Sequence, residues 1–294
     1  MKINPLVTII IPTYNRANLI GATLDSVLAQ AYSNWECIVV DDNSTDDTVC
    51  LIDNYVKADE RFKYLINNRK KGAQGARNSG LLRAKGEWIV FFDSDNYMYT
   101  EFLEKLLQTV IINSKDICTC FSNVICRTTN KKRSTFEWIC NGNIQFDLIS
   151  GRSYVDYNGA LIRKQKILDI GLLDECCPSF QEWDTHIRLS AVAQYCTLQE
   201  YLVDYYIGGD DTISSNSRLT INGFLYILKK HQKIWKSKQK PSYMDYGKVV
   251  YRLLQEFNEK DFVRNKKKEL FFLMPELRFR LFYKKIKLFI NKIK

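Results

Sequence analysis

Three short runs of large apolar residues, each broken off by polar or acidic ones, constrain this chain more than any other feature. Val7-Thr8-Ile9-Ile10-Ile11 ends at Pro12-Thr13-Tyr14-Asn15, Trp35 to Val40 ends at Asp41-Asp42, and Glu87 to Phe92 ends at Asp93-Ser94-Asp95. Runs that are apolar at consecutive rather than alternate positions suit strands buried on both faces. Helical spans lie between them. Asn18 to Gln30 sets Leu19, Leu24, Val27 and Leu28 on one side. A helix after Asp42 is expected to be capped by Asn43 or Ser44, with Asp46 and Asp47 in its first turn, where the dipole favours them. Gly72 to Ala84 reads as loop and helix, Tyr99 to Ile112 as helix, and Phe62 to Ile66 as a further short strand. Strands and helices alternating at these lengths predict an α/β fold with a Rossmann-like, mostly parallel sheet covered by helices on both faces. Right-handed crossovers place the C-terminal strand ends along one edge, where ligands of such sheets bind. The three polar clusters therefore converge there.

Beyond about residue 115 the pattern loosens. Strands are expected at Ile117 to Cys126, Asn158 to Ile162 and Gln199 to Ile207, with helices at Lys164 to Ile170 and Glu182 to Ala193. From Ile221 the chain reads as helical and basic, and Lys236 to Ser242 (KSKQKPS) is the strongest linker signal. The expected division is 1–115, 116–215, and 216–294 as a helical basic extension.

Composition excludes several classes. The chain has 294 residues, 46% of them hydrophobic, which is enough for a substantial core. Nine cysteines form no CxxC and only two histidines are present, so zinc ligation fits poorly and reduced buried thiols in a cytoplasmic protein fit better. No leader is expected, and no apolar run approaches the roughly 20 residues of a membrane-spanning helix. Net charge is +10, but Phe262 to Lys294 alone holds eleven Lys/Arg and two acids. The rest is nearly neutral, so general nucleic-acid binding is not expected.

Asp93 and Asp95, two apart on an extended chain, point the same way. Two adjacent carboxylates repel, and a divalent cation offsets that repulsion. Mg²⁺ or Mn²⁺ takes one or two protein carboxylates and fills its shell with phosphate oxygens, so the pair reads as a seat for a metal and a diphosphate, with a simple helix cap as the alternative. Asp42 can accept a hydrogen bond from a nucleobase N–H while Tyr14 stacks on its ring, although Asp41 or Asp42 could equally cap the next helix. Gly72 and Gly75 allow backbone to approach a ligand, and Arg77 can address phosphate or base.

In this order, "IIIPTYNR", "ECIVVDDNSTDDT", "GARNSGL", "KGEWIVFFDSDN" and "FQEWDTHIRLS" resemble the family 2 glycosyltransferases of bacterial polysaccharide synthesis, over roughly residues 5–210. The resemblance implies a GT-A fold, a nucleotide-sugar donor, Mn²⁺ or Mg²⁺, and inversion at the anomeric carbon in a hexosyl or N-acetylhexosaminyl transfer. It implies that Pro12, Tyr14 and Asp42 hold uridine, that Arg77 contacts the nucleotide, and that Asp93 and Asp95 form the DxD motif, with Asp95 the direct metal ligand. It also places the catalytic base in Gln181-Glu182-Trp183-Asp184. Aligned on Arg188, Glu182 stands where an Asp base is usual, and Asp184 is the second candidate or an orienting residue. The segment Tyr205 to Ser214 stands where relatives carry a mobile loop.

The basic tail sets Phe279, Phe282, Ile286, Phe289 and Ile293 at helical spacing, with Lys284, Lys285, Lys287 and Lys292 largely elsewhere. Such a helix suits an anionic membrane surface, so residues 276–294 are expected to hold the enzyme peripherally on the inner face of the cytoplasmic membrane, near a glycan acceptor on a lipid diphosphate. The alternative is a helix packed on the body or on a second copy, a homo-oligomer. Two rival functions are a sugar nucleotidyltransferase, which needs a Gly-rich phosphate loop after strand one, and a non-catalytic nucleotide-binding scaffold.

Overall fold

The structure is a computed structural model, and it describes residues 4–208, 217–238, 240–257 and 259–278. Two compact units emerge. The first comprises residues 1–148, 153–175 and 182–210, and the second comprises 149–152, 176–181 and 211–294.

The first unit is built on one sheet of nine strands. Its parallel block contains β1 (Val7–Thr13), β2 (Trp35–Asp41), β3 (Phe62–Ile66) and β4 (Trp88–Phe91), in the order β3-β2-β1-β4. Every residue of β1, β2 and β4 is buried, as consecutive apolar residues demand. Period two divides β1 between two cores. Val7, Ile9 and Ile11 pack with Leu24 and Val27 of α1 (Ile20–Leu28) and with Phe102, Leu103 and Leu106 of α4 (Phe102–Ile112). Ile10 faces α3 (Ala73–Arg83). A Cβ at Gly80 of that helix would lie 2.6 Å from Ile10 and 3.0 Å from Val40, so glycine lets helix and sheet close together.

The sheet then changes character. β8 (Ala160–Arg163) runs antiparallel to β4, and β6 (Ile117–Cys126) antiparallel to β8. β9 (Tyr195–Ile207) lies parallel to β6, while β7 (Lys131–Phe136) pairs antiparallel with β6, and β5 (Tyr97–Met98) with β9. Halves 1–115 and 116–215 thus share one sheet, and β5 of the first joins the far edge of the second. That two-residue strand was not expected from sequence; at this length no period can show.

Three local expectations differ from the structure. The helix after Asp42, α2, runs from Thr48 to Ala58 and is not capped by Asn43 or Ser44. Asn43 adopts a left-handed turn, which asparagine tolerates, and the Asp46 carboxylate takes the Thr48 N–H instead. Asp46 and Asp47 accordingly precede the first turn rather than lie in it. KSKQKPS is largely helical: α9 (Gln232–Lys238) occupies its start and α10 (Lys240–Glu256) its end, with residue 239 outside the described residues. Pro241 falls in the first turn of α10, where a missing N–H goes unneeded.

The second unit packs α8 (Ser217–Lys230), α9, α10 and α11 (Lys260–Leu273) around buried Trp235, whose indole N–H donates to the Ile149 carbonyl. All nine cysteines are free thiols, and no described helix is long and apolar enough to cross a membrane. Residues 209–214 of the expected loop and 279–294 of the expected amphipathic tail lie outside the described residues.

Candidate active site

The loops after β1 and β2 are tied directly to each other. Asn15 donates its backbone N–H to Ser44 Oγ and accepts from the Thr45 N–H through Oδ1, at 2.9 and 2.8 Å. Arg16 and Ala17 donate backbone N–H groups to Thr48 and Asp46. Asn15 takes a left-handed conformation (φ 49°) to make this turn. Pro12 is buried at the end of β1, and Tyr14 is 42% exposed, with the Lys71 ammonium 4.8 Å from its ring centre.

Asp41 and Asp42 have separate tasks. Asp41 accepts from Ser44 N–H and Tyr64 O–H, so it is the residue that shapes the loop. Asp42 is buried, with Asn67 donating to one carboxylate oxygen at 2.6 Å and the Gly72 N–H to the other at 2.8 Å. A carboxylate offers about four lone-pair sites, so Asp42 can accept a further N–H in a fixed direction. Gly75 permits this arrangement, because a Cβ there would fall 1.8 Å from the Lys70 carbonyl oxygen.

Asp93 and Asp95 are held differently. Asp93 Oδ1 accepts from Arg77 at 2.6 Å and Oδ2 from Asn158 Nδ2 at 2.9 Å, while Asn158 Oδ1 accepts the Asp93 N–H. Arg77 is buried, donates also to Gln74, and stacks 4.7 Å from the Tyr157 ring centre. It is no solvated arginine. Asp95 meets only Arg127, at 3.2 Å, with its side chain 30% exposed. Burial pushes the Asp95 carboxyl up, the Asp93 charge adds to the rise, and Arg127 and Arg16 draw it down.

Glu182 and Asp184 open α7 (Gln181–Leu189) and separate sharply. Asp184 is fully buried and pairs with Arg188 at 3.0 Å; the same guanidinium donates to the Ile170 and Leu172 carbonyls. Asp184 thereby anchors the helix. Among the described residues no side chain pairs with the Glu182 carboxylate. Burial pushes Glu182 up, Arg77 draws it back, and Asp93 adds to the rise.

A further carboxylate, Asp156, was not singled out from sequence. Asn158 bridges it to Asp93 by donating to Asp156 Oδ1 at 3.0 Å, and Asp156 Oδ2 is buried without a partner. Burial, together with the charges of Asp93 and Glu182, pushes it to about 7. The signal lay in "VDYNG", whose Asp156 and Asn158 repeat just before β8 the two-apart spacing of Asp93 and Asp95. Tyr205 lies in the field of Asp156, Asp93, Glu182 and Asp95 together, which marks where the carboxylates gather.

The donor set suits a hard divalent cation in one respect. Although several carboxylates lie in this region, no three His, Cys, Asp or Glu side chains among the described residues are placed to hold a metal ion by themselves. Asp95, partly exposed and pushed toward its neutral form by Asp93, is the carboxylate whose charge a cation would relieve. Asp93 has both oxygens engaged by Arg77 and Asn158. The residues therefore fit a Mg²⁺ or Mn²⁺ held mainly by Asp95 and completed by phosphate oxygens.

A sheet edge that brings together a fixed buried carboxylate, a buried arginine and further carboxylates is the arrangement of a GT-A-like fold. Residues 8–171 match the family described as Glycosyl transferase family 2, and the chain belongs to that family. It is 42% identical over 109 residues to the UDP-Glc:alpha-D-GlcNAc-diphosphoundecaprenol beta-1,3-glucosyltransferase WfgD of Escherichia coli, covering 37% of this chain and 42% of that one. It is also 42% identical over 110 residues to the putative teichuronic acid biosynthesis glycosyltransferase TuaG of Bacillus subtilis, covering 37% of this chain and 44% of that one. The matched region spans less than half the length of each. Among solved structures, Staphylococcus aureus TarS 1–349 in complex with UDP-GlcNAc is similar in fold, with TM-score 0.62, 18% identity, and 92% and 90% of the two chains covered. The mannosyltransferase PcManGT from Pyrobaculum calidifontis, in complex with GDP-Man and Mn2+, matches with TM-score 0.60, 15% identity, and 94% and 83% covered. Membership in that family is in keeping with a strand one that ends in Pro12-Thr13-Tyr14-Asn15 rather than in the Gly-rich loop a sugar nucleotidyltransferase needs.

Proposed function

We propose that this glycosyltransferase moves a hexosyl or N-acetylhexosaminyl group from a UDP-sugar to a hydroxyl of a glycan carried on a lipid diphosphate, with inversion. The observation that carries the reading is Glu182: a part-buried carboxylate with no side-chain partner, beside a second carboxylate, Asp184, that is locked in an ion pair. By their names, TuaG is a putative teichuronic acid biosynthesis glycosyltransferase, and WfgD transfers glucose from UDP-Glc to a diphosphoundecaprenol-linked GlcNAc.

Asp42, oriented by Asn67 and Gly72, accepts the N–H of uracil, and Tyr14 with Pro12 flanks the base. Arg77, already paired with Asp93, stabilises phosphate charge and holds that carboxylate in place. Asp95 is the residue that would hold Mn²⁺ or Mg²⁺, with Asp93 alongside; such an ion supplies Lewis-acid stabilisation of the departing diphosphate. Glu182 takes the proton of the acceptor hydroxyl as that oxygen attacks the anomeric carbon from the face opposite the leaving group. One displacement inverts configuration. Retention would need a nucleophilic carboxylate close to the sugar. Asp156 turns its unpartnered oxygen to a hydroxyl of the transferred sugar.

Residues 276–294 carry the chain to an anionic membrane surface. Flotation with anionic liposomes, with and without that segment, measures this; equal flotation of both would dismiss it. For the reaction itself, Glu182→Gln keeps size and burial but removes the base. Transfer falls by about 10²–10⁴-fold while UDP binding persists. Near-normal turnover in that variant would overturn the assignment.

A further inference from the structure

The two carboxylates after β4 each meet an arginine, and the two arginines are built differently. Arg77, on α3, is enclosed: its side chain is 4% exposed, Nη1 donates to Gln74, Nη2 donates to Asp93, and Nε is buried without a partner. Its unused N–H cannot reach a ligand. Arg127 pairs with Asp95 and stands directly after β6, in the turn to β7. Its backbone N–H donates to the Ile207 carbonyl at 2.9 Å, at the end of β9. The Thr129 N–H closes the turn on the Cys126 carbonyl at 3.3 Å, and Asn130 takes the left-handed conformation (φ 50°) that sends the chain back. The backbone under Arg127 is thereby fixed between two strands. The guanidinium lies 5.2 Å from the Tyr206 ring centre, an attraction that restrains its position. Only Nη2 is spent on the protein, on the Asp95 carbonyl at 2.9 Å and the Asp95 carboxylate at 3.2 Å. Nε and Nη1 make no hydrogen bond among the described residues, and neither is sealed from solvent, the side chain being 25% exposed. An arginine that only braces the fold spends its donors on carbonyls and carboxylates, as Arg188 does with Asp184, Ile170 and Leu172. Arg127 instead holds open donors at a set place beside Asp95.

We propose that Arg127 is a diphosphate-binding residue, giving its open N–H groups to phosphate oxygens of the nucleotide seated at Asp95. The chemistry selects the ligand. The planar fork of a guanidinium matches two oxygens of a phosphate, and it keeps its charge at any working pH. A diphosphate entering this end of the sheet meets Asp93 and Asp95, which repel it, so a cation supplied by the chain itself offsets that repulsion. The inference rests on the reading of Asp95 as the seat of a cation and a diphosphate, and it deepens that reading by giving Arg127 two successive partners. Before a ligand arrives, the guanidinium offsets the Asp95 charge. When the Asp95 carboxylate is given to Mn²⁺ or Mg²⁺, the guanidinium is freed for the phosphate. Arg127 and the cation are therefore competitors for Asp95 without nucleotide and act together on the diphosphate with it.

Two binding measurements on the full chain test this without an acceptor or turnover. In the first, wild type, Arg127→Gln and Arg127→Lys are titrated calorimetrically with uridine and with UDP, each in the presence of Mn²⁺. UDP affinity falls about tenfold or more in Arg127→Gln, the size of one charge-assisted contact, while uridine affinity is unchanged and reports a folded site. Arg127→Lys recovers part of the loss, since an ammonium supplies the charge without the fork. In the second, free Mn²⁺ is counted by electron paramagnetic resonance with no nucleotide present. Removing a competing cation raises the Mn²⁺ affinity of Arg127→Gln, whereas loss of an arginine that merely props Asp95 in place lowers it. Equal UDP affinity in wild type and Arg127→Gln, a loss shared equally by uridine, or a fall in Mn²⁺ affinity overturns the role of Arg127. Failure of the wild-type chain to bind UDP at all overturns instead the nucleotide reading beneath it, and the inference falls with it.

Discussion

The two ends of the active site are built on opposite principles. At the proposed nucleotide end three carboxylates are each held by neighbours: Asp41 by Ser44 and Tyr64, Asp42 by Asn67 and Gly72, Asp93 by Arg77 and Asn158. At the sugar end, Glu182 has no side-chain partner among the described residues and Asp156 keeps a buried oxygen unpaired. The first arrangement fixes side chains in advance, so a bound nucleotide meets groups that need not reorganise. The second stores unfavourable burial, which raises carboxyl pKa values toward neutrality and makes a base effective. On the proposed roles, recognition falls where the fold is satisfied and chemistry where it is not.

The largest effect that could break this contrast is at Glu182. Its Gln variant should lose transfer by about 10²–10⁴-fold with UDP affinity unchanged. Because burial raises the Glu182 pKa, wild-type kcat/KM should rise with pH through a midpoint above the ordinary glutamate range, and the variant should lack that limb. A midpoint at or below that range would remove the base from the account. Asp184→Asn should leave the chemistry in place but cost about 3–5 kcal/mol of stability, since Arg188 stays with its charge uncompensated. Thermal unfolding measures the loss, and an unshifted Tm would show that the pair anchors nothing.

Asp42→Ala should raise donor KM with kcat little changed. The loss of a hydrogen bond from a charged group, about 1.5–3 kcal/mol, sets its size. Steady-state kinetics with UDP-sugar decide it, and a fall in kcat alone would place Asp42 in the chemistry instead.

Asp156 gives the smallest and most particular effect. Its carboxyl is pushed from the usual range near 3.8 to about 7 in the folded chain. The folded state therefore binds a proton that the unfolded state releases between those values, and stability falls as pH rises across that window. Asp156→Asn should remove that slope, raise Tm at pH 8 by roughly 2–4 °C per kcal/mol relieved, and weaken donor turnover. A flat wild-type stability profile from pH 4 to 7 would contradict the burial on which the sugar end rests.

The same contrast explains what the sequence disclosed. Strands buried on both faces, such as β1, β2 and β4, announce themselves, and the expected bounds of the partly buried β3 and β6 match the structure to the residue. Asp42, Asp93 and Asp95 were singled out because each follows the end of such a strand, and Arg77 because it follows a loop with Gly72 and Gly75. Partners were less legible. Asn67, Asn158 and Arg127 reach the site from loops whose course depends on tertiary packing, and nothing in their local sequence shows the distant carboxylate they meet. Asp156 carried a visible spacing signal, but it precedes the short antiparallel strand β8, where the parallel-sheet reasoning that picked out the other clusters does not apply. Glu182 and Asp184, two apart at a helix start, were ranked from sequence by the resemblance alone; the structure adds that Arg188, one turn on and held by the Ile170 and Leu172 carbonyls, pairs with Asp184.

Calorimetric titration of UDP into the wild-type chain and into Asp95→Ala, each with Mn²⁺ and with EDTA, tests most directly whether these loops assemble one seat for cation and diphosphate. Wild-type affinity should rise with Mn²⁺ and fall to the EDTA level in Asp95→Ala. Equal affinity under all four conditions would contradict it.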